Sequence, residues 1–379
     1  MTTTCFENIQ IKGIKTVIPE HCVNIDDELE YFDDNPKKLA RAKKMIGYGK
    51  RYIADQNTTV TDMATDAAVK LLQEMGISPD EIDLLIFVNQ NPDYPRPSDA
   101  CIVHGLLELN KSCTCLSINL GCSGYVHALM CASGLMSSGA FKTALLLTGD
   151  NPAHDIRVQN RKIAPVFGDA VSATILKYEK GAPKSFFVTG TDGKNWDKII
   201  HPFGGQRLPY QKKDFDLSVV DGNGNIWTAD QGLMKGEDVF NFTMEVAPKL
   251  LSDTMNAAAW TIQDVDLFAI HQANKQIVEM IVAKAGIPFE KAPTETFSRY
   301  ANNSVNSVVT VLCDQAVGKT IGNTVLCTFG IGLSWGGAAV DLSEMYNGGI
   351  STYTVPKNGK TRSEQIMNWI NYFKGEEHD

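Results

Sequence analysis

Residues 81–91 read EIDLLIFVNQN and residues 264–274 read DVDLFAIHQAN. Both open on an acidic residue, an apolar one, Asp and Leu, run on through apolar side chains and close on Asn. Each run has strand length and lacks alternation, as expected of a parallel strand covered on both faces. A helical pattern precedes each. Met63, Ala67, Leu71 and Met75 precede the first, with Thr61 or Asp62 placed to cap and Gly76 to terminate; Val239, Phe242, Val246 and Leu250 precede the second. An offset of 183 residues relates the two runs (264 against 81). A similar offset of 181 lays Ala144–Gly149 (ALLLTG) on Val325–Gly330 (VLCTFG) and Cys122-Ser123 on Asn303-Ser304. The repeat predicts an α/β protein of two duplicated α/β/α halves about a pseudo-twofold axis. The first half spans 1–180, with strand character also at 6–19 and 171–178, and the second spans 237–379. Between them, 181–236 is rich in Gly, Asp, Pro and Lys and reads as an insertion of connecting loops and short strands.

The chain has 379 residues, 43% hydrophobic and 21% charged, enough to bury a large core. A formal net charge of −9 argues against nucleic acid and against an anionic membrane surface as partners. The basic run Lys37-Lys38, Arg41, Lys43-Lys44 and Lys50-Arg51 reads as a solvated helical face. No stretch approaches the length of a membrane span, and MTTTCFENIQIKGIK carries no apolar leader. Nine cysteines, an odd number, suit free thiols in a reducing cytoplasm. Cys113-Thr114-Cys115 would need a second Cys/His pair at ligand spacing to hold a metal; none is identified, and no metal is expected.

Ser117–Tyr125 (SINLGCSGY) sets Cys122 where an apolar strand gives way to the small-residue pattern of a buried helix, 122–138. A cysteine in a first helical turn sits among unpaired N–H groups, which favour the thiolate and offer donors to an oxyanion. Free cysteines more commonly only pack. The repeat changes the weighing, because it puts Cys122, Val88–Asn91, His271–Asn274, Asn302-Asn303 and the glycine-rich stretch 330–337 at equivalent strand ends, where doubly covered sheets bind ligands. Cys122, His271 and Asn302 then form a set in which one group attacks and two stabilise developing oxygen charge. Alone, His271 reads as a core histidine and Asn302 as a turn residue.

Taken in order, these motifs resemble the β-ketoacyl-acyl-carrier-protein synthase III family of the thiolase-like superfamily, over nearly the whole chain. NLGCSGY resembles its nucleophile motif, FGDA at 167–170 its central loop and GLMKGEDVF at 232–240 the start of its second half. HQANKQI at 271–277, YANNSVNS at 300–307 and FGIGLSWGGA at 329–338 resemble its histidine, asparagine and glycine-rich motifs. The resemblance implies a thiolase fold, in which the duplicated halves form a five-layered sandwich, and a homodimer. It implies that an acyl-thioester primes Cys122, followed by decarboxylative Claisen condensation with a malonyl-thioester held by His271 and Asn302. The N–H groups of Cys122 and Ile331 would form the oxyanion hole, Ile331 standing where the family ordinarily has Gly. Acyl-CoA or acyl carrier protein would be the partners, as substrates, with no bound cofactor.

Substrate contacts would fall on Arg161, which matches a CoA-contacting Arg, on Arg96 before Pro97, and on Asn274 and Lys275. Several positions depart from the family pattern. Arg41 and Met45 stand where it clamps CoA, Gln276 where it docks the carrier, and Arg96 where it has an apolar residue reaching the partner's acyl pocket. A charged gate suggests a short, polar or unusual acyl group. The alternative reading is an acyltransferase of the same fold that passes the acyl group from Cys122 to an alcohol or amine.

Overall fold

The computed structural model describes residues 1–155, 160, 163–222, 224–315, 317–355 and 362–374. In chain order the main strands are β1 (Thr2–Phe6), β2 (Ile9–Pro19), β3 (Leu84–Val88), β4 (Thr114–Ile118), β5 (Thr143–Asp150) and β6 (Ala170–Tyr178). They continue with β7 (Ser185–Thr191), β8 (Leu267–Ile270), β9 (Asn323–Gly330), β10 (Ser334–Asp341) and β11 (Tyr346–Tyr353). The helices are α1 (Pro36–Ile46), α2 (Val60–Met75), α3 (Asp99–Leu106), α4 (Gly124–Met136), α5 (Gly236–Ala258), α6 (Lys275–Ala285), α7 (Thr296–Tyr300), α8 (Ser307–Gln315) and α9 (Arg362–Phe373).

The two repeated runs become β3 and β8, each paired in parallel with the strand of the second repeated segment, Val88 opposite Thr148 and Ile270 opposite Cys327. From there the sheets match strand for strand. The series β3-β5-β6-β2 in the six-stranded sheet corresponds to β8-β9-β10-β7 in the five-stranded one, with the same parallel, antiparallel, antiparallel sequence of pairings. Alternate side chains of each strand enter different cores. Leu84, Ile86 and Val88 join Ala269 and Leu326 from the other sheet around α4 and α8, whereas Leu85 and Phe87 pack on α2 and α3. Phe268, Ile270, Val325 and Cys327 face α5 and α6. The order is therefore helices, sheet, helices, sheet, helices: five layers, as the resemblance implied.

Sheet membership does not follow the sequence divisions. β1, from the first half, adds to the edge of the five-stranded sheet on β7, while β11, from the second half, lies parallel to β2 in the six-stranded sheet. β7 itself falls inside 181–236, so that stretch holds a core strand beside its short ones (Ile199–Ile200, Ser218–Val220, Ile226–Thr228, Leu233–Met234). Two local expectations also shift. The cap of α2 is Thr59, whose hydroxyl accepts from the Asp62 N–H at 3.2 Å while the Asp62 carboxylate accepts from the Thr59 N–H at 2.9 Å. The buried face of α5 is Thr243, Ala247, Leu250, Leu251 and Thr254, one residue round from the stripe predicted through Val239, Phe242 and Val246.

Gly336 and Gly337 belong to β10, not to a turn, and they set the spacing of three layers. A Cβ on Gly336 would meet Val126 of α4 at 2.9 Å, and one on Gly337 would meet the Thr254 hydroxyl of α5 at 2.0 Å. That hydroxyl is already committed to the Leu250 carbonyl at 2.7 Å and cannot easily turn aside. Gly337→Ala should therefore push α5 from the sheet and cost about 1–3 kcal/mol in denaturant unfolding. Unchanged stability would mean that the layers are not close-packed there.

Candidate active site

Cys122 stands in the turn between β4 and α4, two residues before the helix begins and not in its first turn as expected. The Gly124 N–H closes that turn on the Gly121 carbonyl at 2.7 Å. Glycines let the surrounding backbone come close. A Cβ on Gly121 would lie 2.4 Å from both the Gln90 amide oxygen and the Ile331 side chain, and one on Gly330 would lie 2.8 Å from Cys122 Cβ and 3.0 Å from its sulfur. The thiol is thus pressed against the end of β9, at the seam between the halves. Burial pushes it up to about 11, and the Asp150 carboxylate adds to the rise. The Ser304 hydroxyl, 3.9 Å from the sulfur, and the N–H groups of Cys122 and Ile331 pull the other way. The resting group is the thiol, so the expected thiolate bias of the helix start is outweighed by desolvation.

His271 follows the last residue of β8, and its N–H donates to the Cys327 carbonyl at 2.8 Å. The imidazole is buried edge-on to the Phe329 ring, with centroids 5.3 Å apart. Burial drives it down to about 3, so the ring is neutral at physiological pH. Asn302 is held by its backbone between Val166 and Gly168, its N–H donating at 2.9 Å to one carbonyl and its own carbonyl accepting at 3.1 Å from the other residue. Its side-chain oxygen accepts from the Ser304 N–H at 2.9 Å, which leaves the NH₂ as the end free to serve a ligand oxygen. The flanking Ala301 (φ 60) and Ser304 (φ 50) take a left-handed backbone that non-glycine residues rarely adopt. Asn303 holds them there, donating at 2.9 Å to the carbonyls of Gly168 and Tyr300. The FGDA segment is the brace behind this: Phe167 bridges to Asn302, and buried Asp169 accepts from the N–H groups of Ala54 and Ala153 at 2.8 and 3.0 Å.

Two short chains of contact join these groups. Cys122 reaches Asn302 through Ser304, and it reaches His271 through Gly330 and the adjoining Phe329. Ser304, Phe329 and Asp150 were not singled out from the sequence, although the repeat had already aligned Ser304 with Ser123, beside the nucleophile. The outer residues are more dispersed. Asn274 caps α6, its side-chain oxygen accepting from the Ile277 N–H at 2.9 Å. Lys275 pairs with Glu295 at 3.1 Å. Arg96 lies exposed on the loop after β3, and Arg41 and Met45 are exposed on α1. Arg161 lies outside the described residues.

A duplicated five-layer α/β/α sandwich with a thiol at the seam of its halves defines a thiolase-fold protein. Two family models match it: 3-oxoacyl-[acyl-carrier-protein] synthase III over residues 116–193 and the synthase III C-terminal part over 255–342. A Campylobacter jejuni protein provisionally named 3-oxoacyl-[acyl-carrier-protein] synthase 3 is 36% identical over 355 residues, 93% of this chain and 99% of that one. A Clostridium perfringens β-ketoacyl-[acyl-carrier-protein] synthase III is 30% identical, covering 89% of this chain and all of its own length (100%). The crystal structure of a Burkholderia xenovorans 3-oxoacyl-(acyl-carrier protein) synthase superposes with a TM-score of 0.84 at 32% identity, over 93% of this chain and 99% of that one. The chain belongs to the 3-oxoacyl-[acyl-carrier-protein] synthase III family.

Proposed function

We propose that the chain condenses an acyl group with a malonyl-thioester, using Cys122, His271 and Asn302. In the first step the Cys122 sulfur attacks an acyl-thioester, and the donor thiol leaves with the proton that the cysteine loses. The malonyl group then sheds CO₂, and the electron pair of the broken C–C bond passes into a thioester enolate. That enolate oxygen is held by His271 and the Asn302 NH₂. Its carbon attacks the acyl-Cys122 carbonyl, the oxyanion rests on the N–H groups of Cys122 and Ile331, and the sulfur departs to leave a 3-oxoacyl-thioester.

The observation that carries this reading is the setting of the two side chains, the imidazole buried against Phe329 and the amide oxygen bonded to the Ser304 N–H. A buried, neutral imidazole and an amide whose oxygen is already engaged are both donors, which is what an enolate oxygen needs. An acyltransferase would instead need His271 as a general base toward an alcohol or amine, and an imidazole pushed down to about 3 is a poor proton acceptor at neutral pH. Acyl-CoA or acyl carrier protein would supply the donor. Free thiols at every cysteine suit a reducing cytoplasm, and among the described residues no helix is long and apolar enough to cross a membrane.

Release of labelled CO₂ from a malonyl-carrier substrate separates the two steps. His271→Ala and Asn302→Ala should each lose about 10² to 10³ in CO₂ release while Cys122 still becomes acylated. In the wild type that release should be flat between about pH 5 and 8, because a histidine with its pKa lowered to about 3 does not titrate there. No CO₂ from the wild type, or an inflection near the ordinary histidine value of about 6.5, would favour the acyltransferase.

We further propose a homodimer joined along β4. That strand ends the six-stranded sheet, with Leu116 exposed on it and Leu106 exposed on neighbouring α3. Arg96 of each subunit would then stand near the acyl pocket of the other. Light scattering at micromolar concentration should give twice the chain mass; a monomer would overturn the assembly.

A further inference from the structure

Outside the catalytic seam, the outer face of the six-stranded sheet carries a second cluster of metal-ligating side chains. The ligand atoms of His104, on α3, and of Cys113 and Cys115, before and within β4, all lie within 4.8 Å of one another. Ligands around a tetrahedral zinc are separated by about 3.3–3.8 Å, so modest side-chain rotations close the set. Cys113-Thr114-Cys115 does have a second Cys/His pair near it, Cys101-Ile102-Val103-His104, read across a helix. Cys101 and His104 are three residues apart and share a face of α3. Cys101 lies outside that 4.8 Å group, with its sulfur accepting from the Ser98 hydroxyl at 3.4 Å, and it completes the set by turning from that contact toward the ion.

The groups around these side chains suit a metal. His104 Nε2 lies 3.1 Å from the Asn110 carbonyl, and donation of its proton there leaves the Nδ1 lone pair for an ion. The same carbonyl accepts from the Cys113 N–H at 2.8 Å, so one peptide oxygen orients ligands from both elements. Asn110 is fixed in turn by Ser112, whose N–H and hydroxyl donate to its side-chain oxygen at 3.1 and 3.0 Å. The Asp83 carboxylate, tied to the N–H groups of Lys142 and Thr143, adds negative charge nearby.

We propose that Cys101, His104, Cys113 and Cys115 bind one Zn²⁺ per chain, a C-x₂-H…C-x-C site that rivets α3 to β4. Three thiolates and an imidazole match the soft, tetrahedral preference of a closed structural zinc site. Binding releases the thiol protons to solvent and involves no redox step. The strand so braced leads directly through Asn119–Gly121 into the turn that carries Cys122. The site is therefore a positioning device, independent of which acyl acceptor the enzyme uses.

The test is zinc retention by the full-length protein, purified in reducing buffer, incubated with Zn²⁺ and a weak competing chelator, then desalted and assayed for metal. Wild type should retain one equivalent, and Co²⁺ in its place should show the thiolate charge-transfer and intense ligand-field bands of a tetrahedral site. Cys113→Ser and the milder His104→Asn should each weaken binding by more than about 100-fold, since loss even of a supporting contact costs 10- to 100-fold. Cys122→Ser should retain the metal, which separates this cluster from the nucleophile and His271. Circular dichroism checks that each variant is folded. No retained zinc, an intramolecular Cys113–Cys115 disulfide under the same reducing conditions, or retention that survives His104→Asn would overturn the site.

Discussion

The contact on which the molecule depends is that between Cys122 and Gly330, where the turn leading into a helix of one half abuts the end of a strand from the other. At that spacing the sulfur lies within reach of the N–H groups of both Cys122 and Ile331. A side chain at position 330 would press on Cys122, its Cβ lying 2.8 Å from the cysteine Cβ and 3.0 Å from the sulfur. Much of the architecture serves to hold this distance. α4 and α8 fill the layer between the sheets, glycines on β10 let helices approach from both sides, and the terminal strands β1 and β11 are each committed to the opposite half. Sliding one half over the other would break both terminal pairings, so the seam is fixed at several points far from the thiol.

Burial decides the chemistry of the seam more than any single charge does. Desolvation raises the Cys122 thiol and lowers the His271 imidazole, so both groups rest neutral. A neutral pocket suits anionic intermediates that arise only in passing, since donors already aimed at the oxygen need no reorganisation when charge develops. Asp150 acts in the same direction as burial on the thiol. Its buried carboxylate accepts from the Gln90 N–H at 2.7 Å and opposes ionisation of the thiol in the absence of substrate.

The fold was legible in the sequence because β3, β5, β8 and β9 are covered on both faces and therefore spell apolar runs, which repeat at the similar offsets of 183 and 181 residues. The same logic hid β7: its SFFVTGT carries Thr and Gly amid a loop-rich stretch, and its place in the sheet comes from pairing with β10, a partner some 150 residues away. Nor does sequence adjacency say that β1 and β11 change sheets. At the site, Cys122 and His271 stand out because each follows an apolar strand, β4 or β8, whereas Asn302, expected at an equivalent strand end, instead follows the short helix α7. Ser304 and Asp150 are residue types too common to draw notice; a turn brings the Ser304 hydroxyl 3.9 Å from the sulfur, and Asp150 stands at the end of β5. His104 is not legible as a ligand in the sequence because Cys113 and Cys115 come from another segment, before and within β4, and spacing rules read along one segment do not register a set completed across two.

On the proposed chemistry, one cysteine of nine, Cys122 at the seam, takes the acyl group. The direct test is mass-spectrometric peptide mapping after incubation with a panel of acyl-CoA and acyl-carrier donors. The acyl group should fall on the peptide containing Cys122, with no labelling in Cys122→Ala. An acyl group mapped instead to Cys113, Cys115 or Cys327 would contradict the account.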